Sequence, residues 1–116
     1  MKEWKFRTDN DKLIKLVIEG KKTATTSPYY EGDPLPIIGE ESNILYDNNK
    51  LACKVRTEEY YIMKFNEMTE ELSKLEGEGD LSLAHWQKTH LKYFKSFDSK
   101  FNKESKILFE IFKVVE

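Results

Sequence analysis

The apolar positions of this chain change their period several times, and each change marks an element. Leu13, Leu16 and Val17 share one face at helical spacing. Thr8, Asp9, Asn10 and Asp11 offer capping side chains ahead of them, and Gly20 is placed to end the helix. The chain is therefore expected to open with a helix. "KKTATTS" follows, rich in β-branched threonine and strand-like. Residues 27–39 hold all three prolines and two of the five glycines, a loop long enough to suggest a role. "SNILYD" reads as a short strand and "DNNK" as a turn. Leu51, Cys53 and Val55 then alternate with Lys54 and Arg56, which predicts a half-buried strand running, with a bulge, toward Phe65.

Helical spacing returns over Asn66–Leu75, with Met68, Leu72 and Leu75 on the inner side. Gly77 and Gly79 end this helix, and Asp80 or Ser82 caps the next. Leu83, Trp86, His90, Tyr93, Phe94 and Phe97 form a pronounced amphipathic stripe. After the polar "DSKFNKES", "KILFEIFKVVE" is a final strand, apolar on both faces as in a closed or covered sheet. The order predicts an α+β domain, a small curled mixed sheet with helices packed beside it, spanning residues 1–116 as one unit.

Composition narrows the class. With 116 residues and 39% hydrophobic content, the chain can bury one core without staples. Cys53 is the only cysteine, so no internal disulfide is expected. No apolar run approaches the ~20 residues of a membrane span, and "MKEWKFRTDND" is too polar for a signal peptide. A cytoplasmic protein with no membrane partner is the expectation. The net charge of −2 exerts no general pull on nucleic acid, but it is unevenly spread. Residues 1–26 carry seven basic and four acidic side chains, residues 27–80 five and thirteen, and residues 81–116 seven and four. The two basic ends make a phosphate-attracting face if the fold joins them.

Two stretches carry candidate chemistry. In "LEGEGDLSLAHW" the glycines and Asp80 have local jobs at a helix–loop–helix joint. A glycine turn needs no acids, so Glu76 and Glu78 are left over. In "GKKTATT", Lys21 and Lys22 follow a helix-ending glycine and lead into Thr23 and Thr25, which offer a charge and hydroxyls to a phosphate, carbonyl or base edge. The spacing is not that of a Walker loop. His85 and His90 lie five apart with no cysteine pair or H-E-x-x-H, so no metal or other cofactor is expected. Glu40, Glu41, Glu76, Glu78 and Asp80 supply oxygens only if they converge. His90 and Trp86 sit on the apolar stripe, where core packing competes with ligand contact.

Three segments together carry a family resemblance. They are "LVIEGKKTATTS", "IIGEESNILYDNNKLACKVRT" and "KFNEMTEELSKLEGEGDLSLAHWQKTHLKYF", and they cover Leu16 to Phe94 in order. The chain resembles the ASCH (activating signal cointegrator homology) family in its longer bacterial form, a branch of the PUA-like β-barrels. "EGEGD-x-SL-x-x-W" before a histidine and an aromatic pair is the specific mark. Gln87 departs from the arginine that family members commonly carry there.

The resemblance implies a small PUA-like β-barrel of about five to six strands, with a cleft for RNA or a modified nucleoside. A smaller bacterial relative is an amidohydrolase of acetylcytidine with a Lys–Thr–Glu set; G-x-K-T-x-T puts its lysine on Lys22 and its threonine on Thr25, and E-x-E puts its glutamate on Glu78. Another relative is described as a ribonuclease acting on single-stranded RNA. Lys22, Thr25 and Glu78 are therefore the candidate catalytic residues, and Lys21, Thr23, Glu40, Glu76, Asp80, Trp86 and His90 the candidate ligand contacts. Two divisions of labour remain open. A neutral Lys22 can activate Thr25, or a cationic Lys22 can stabilise an oxyanion while Glu78 acts as base.

Overall fold

A computed structural model describes residues 2–115. Five strands form one mixed sheet in the order β1-β3-β4-β5-β2, and helices pack around it. The architecture is α+β with the PUA-like fold, but the sheet is not closed. Its edges are β1 (Lys2–Trp4) and β2 (Ala24–Pro28), and they are not hydrogen-bonded to one another.

β1 precedes the helix that was expected to open the chain. It is three residues long and runs parallel to β3 (Glu41–Leu45), with Trp4 opposite Ile44. So short a strand has no room for a legible alternation, and only its distant partner makes it a strand. Helix α1 (Asn10–Ile18) then buries Ile14 and Val17, and Gly20 follows at φ +77°. β3 and β4 (Leu51–Lys64) form an antiparallel hairpin through the "DNNK" turn, where Asn49 takes φ +70°. β4 carries the expected bulge, between Thr57 and Glu59, and pairs along its length with β5 (Lys106–Val115). β5 pairs in turn with β2.

The single helix expected over Asn66–Leu75 is broken into three pieces. A 3₁₀ turn spans Phe65–Glu67, helix α2 spans Glu70–Ser73, and a second 3₁₀ turn spans Lys74–Glu76. Met68 is extended, and Thr69 restarts the helix by accepting a hydrogen bond from the Leu72 N–H at 3.2 Å. A β-branched residue with a capping oxygen wins there over simple apolar periodicity. Helix α3 (Leu83–Phe97) forms as expected, capped by the Ser82 hydroxyl on the His85 N–H.

Two cores result. Trp86 and Phe94 of α3 pack with Phe65, Phe101, Ala24, Ile107 and Phe109. Ile14 and Val17 of α1 pack with Ile44, Val55 and Phe112. Between the cores, the two free edges of the sheet and one face of α3 leave a cavity. No described helix is long and apolar enough to cross a membrane.

Candidate functional site

The cavity has a volume of about 350 Å³, within the usual range for a small-molecule site. Trp4–Asp9 form one wall, Thr25–Pro28 a second, and Thr89, His90, Tyr93, Phe94 and Phe97 of α3 a third. Lys22, Glu76 and Glu78 meet at one end of it. Both sheet edges contribute, so the open seam of the sheet is what makes the cavity.

Backbone packing joins the two chemically rich stretches. The Thr23 N–H donates to the Leu75 carbonyl at 2.7 Å, and the Phe112 N–H donates to the Thr23 carbonyl at 2.9 Å. "GKKT" is thereby stitched between β5 and the turn that carries the acids. Gly77 makes this possible. It sits at φ +67°, and a Cβ there would lie 2.1 Å from the Lys21 carbonyl oxygen. Only glycine offers both the left-handed conformation and the missing side chain. With the two backbones in contact, Glu76 and Glu78 flank Lys22.

The resulting cluster is closed around Glu76. Lys22 Nζ lies 3.2 Å from Glu76 Oε1 and 2.7 Å from Glu78 Oε2. Thr26 Oγ1 donates to Glu76 Oε2 at 2.6 Å, and Trp86 Nε1 donates to the same oxygen at 2.5 Å. His90 Nε2 lies 3.4 Å from Glu76 Oε1, and the opposite ring nitrogen, Nδ1, is 2.9 Å from the Trp86 carbonyl. A carbonyl only accepts, so Nδ1 carries a proton. His90 also stacks on Trp86 at 4.5 Å between centroids. Glu76 thus has four side-chain partners and is 2% exposed, whereas the Glu78 side chain is 30% exposed.

These contacts set the ionisation. Burial opposes the Glu76 carboxylate, but the His90 hydrogen bond and the Lys22 charge outweigh it and lower its pKa to about 2. Burial likewise opposes charging of His90, and the Glu76 hydrogen bond and charge reverse that and raise its pKa above the ordinary histidine value. Glu76, Glu78 and His90 also bring ligand atoms within 4.8 Å of one another, a set that can in principle hold a metal ion. Here the Lys22 ammonium already stands between the two carboxylates.

Of the candidate residues, Lys22, Thr25, Glu78, Glu76 and His90 line this cavity. Thr25 is hydrogen-bonded to neither Lys22 nor Glu78 among the described residues; its neighbour Thr26 takes the contact with Glu76. Trp86 is buried and meets the cluster from behind, through its N–H. Lys21 is exposed beside Glu19. Thr23 holds the Leu75 carbonyl instead of facing the cavity. Glu40 pairs with Thr57 through its backbone, outside the cavity. Asp80 accepts from Ser82 at the start of α3, and Gln87 does not line the cavity either. Of the five acids considered for convergence, only Glu76 and Glu78 converge. Thr26, Phe6, Arg7 and Tyr93 were not singled out in the sequence. Strand parity could have flagged Thr26, because it shares a face with Ala24 rather than with Thr25.

Comparison with known proteins agrees with this fold. An ASCH domain from Lactobacillus crispatus JV V101 superposes with a TM-score of 0.90 at 26% identity, covering 97% of this chain and 78% of that one. A protein from Enterococcus faecalis V583 gives 0.84 at 28% identity, covering 98% and 79%. An ASCH protein from Zymomonas mobilis, at 14% identity and a TM-score of 0.57, shares the fold over 97% of this chain and 66% of its own. No curated protein sequence matches significantly. The ASCH domain family model matches residues 2–116, and the chain belongs to that family.

Proposed function

We propose that the cavity binds a single base of RNA or a modified nucleoside, with Lys22 and Glu78 meeting its polar edge. The observation that carries this is the pairing of one partly exposed carboxylate with a buried ammonium beside an aromatic-walled cavity of about 350 Å³. Glu78 uses one oxygen on Lys22 and keeps the other for a base N–H. Phe6 and Tyr93 supply aromatic surface against which a base can stack. Glu76 is saturated by its neighbours, so its role is to hold Lys22, Thr26 and His90 in place.

A second reading, hydrolysis of an acylated cytosine, has support from the same contacts. Lys22 lies between two carboxylates, 3.2 Å from Glu76 and 2.7 Å from Glu78, a placement that suits an oxyanion stabiliser. Water would then add to the acyl carbonyl carbon while Glu78 takes its proton and returns it to the amine nitrogen as the C–N bond breaks; were Thr25 to attack instead, a water would next hydrolyse the acyl-threonine to acetate. Incubation with acetylcytidine, followed by chromatography for cytidine and acetate, tests this. Conversion that disappears in Lys22→Ala and Glu78→Gln would establish the hydrolase. Binding without conversion would leave the domain a recognition module. Failure to bind any nucleoside or oligonucleotide would overturn both.

A further inference from the structure

We infer that Arg7 is a phosphate-binding residue, so that the cavity takes a nucleotide in preference to the bare nucleoside. This rests on the base-binding role proposed above. Arg7 lines the cavity, and its guanidinium carbon lies 4.4 Å above the centroid of the Phe97 ring. The contact is a cation–π one and the Arg7 side chain makes no hydrogen bond among the described residues, so its N–H donors remain for a phosphate, which a guanidinium can grip with two hydrogen bonds.

The other cations around the cavity are engaged. Lys22 is held by Glu76 and Glu78, and Lys5 bonds Asn49 Oδ1 at 2.5 Å. Arg7 makes no ion pair among the described residues, even though Asp9 lies two residues away on the same wall. Arg7 is solvent-exposed where it lines the cavity, and a positive charge there without an ion-pair partner is suited to an anionic ligand group.

The spacing matches. His90, which contacts the acid cluster, and Phe97, which carries Arg7, are seven residues apart on α3, roughly 10 Å along the axis. That distance suits a base at the Lys22–Glu78 end, a sugar in the middle and a phosphate at Arg7. The phosphate can belong to a free mononucleotide or to a strand, because the chemistry at Arg7 is the same.

The test is calorimetric binding of the four ribonucleosides, their 5′- and 3′-monophosphates, and a short single-stranded oligoribonucleotide. The wild-type protein is compared with Arg7→Gln, Arg7→Lys and Glu78→Gln. A monophosphate is expected to bind about tenfold or more tightly than its nucleoside. Added salt should shrink that preference. Arg7→Gln should collapse the ratio and Arg7→Lys restore part of it, whereas Glu78→Gln should weaken nucleoside and monophosphate alike. A further gain for the oligonucleotide would place the phosphate in a strand, and equal affinity for oligonucleotide and monophosphate would point to the free nucleotide. Equal binding of nucleoside and monophosphate, or a ratio unchanged in Arg7→Gln, would overturn the role of Arg7 alone. No binding by any of these probes would overturn the base-binding reading and this inference with it.

Discussion

Lys22 Nζ and Glu76 Oε1 lie 3.2 Å apart, and neither side chain is more than 2% exposed. An ion pair so deeply buried gains little over a well-packed apolar pair, but removing one member strands the other. Lys22→Met should therefore destabilise the fold by about 3 kcal/mol or more. Glu78→Gln alters a partly exposed partner and leaves Lys22 paired with Glu76, so it should cost less, about 1 kcal/mol. Urea denaturation of both variants measures the difference, and equal losses would contradict this ranking.

Acid should act through Glu76. Its pKa is lowered from 4.5 to about 2, so the folded state holds the carboxylate more strongly than the unfolded chain does. The stability this contributes is present above pH 4.5 and is lost as pH falls toward 2. The shift corresponds to roughly 3 kcal/mol. Denaturation midpoints recorded across this window should fall steeply in the wild type and less steeply in Glu76→Gln.

His90 works in the opposite direction. Its pKa is raised, so its contribution is complete below about pH 6.5 and is lost as pH rises through the higher folded value. NMR titration should find the His90 ring still protonated above the ordinary histidine pKa. In His90→Gln, the fall in stability on the alkaline side should be absent.

Two neighbouring glycines should respond differently to alanine. Gly77 and Gly79 have φ of +67° and +65°, so both substitutions carry backbone strain of about 1 kcal/mol. At Gly77 the new Cβ meets the Lys21 backbone carbonyl, which is locked in hydrogen-bonded structure. At Gly79 it meets the ring of His85, an exposed side chain that can turn aside. Gly77→Ala should cost about 1–3 kcal/mol more than Gly79→Ala, and should weaken ligand binding through displacement of Glu76 and Glu78. Thermal melts and nucleoside titrations of the two variants check this.

The sequence by itself determined the elements whose evidence is local. The helices at Asn10–Ile18 and Leu83–Phe97 follow from apolar spacing, and the second also from its Ser82 cap; Asp9 precedes the first in a left-handed conformation without a side-chain cap. The β4 strand with its bulge, the turn after β3 and the final strand follow from alternation and turn residues. Glu76 and Glu78 stood out because a turn between helices has no local use for such charges, and Lys22 through the "GKKTATT" stretch and the family resemblance. Tertiary structure decided what depends on distant partners. β1 exists only through Ile44 and its neighbours, and the sheet stays open because its edge strands are separated by the cavity. The buried role of Glu76 required Lys22 and Thr26 to arrive from one distant segment and Trp86 and His90 from another. A carboxylate's burial and pKa belong to the groups around it in space, and one-dimensional spacing does not carry that information.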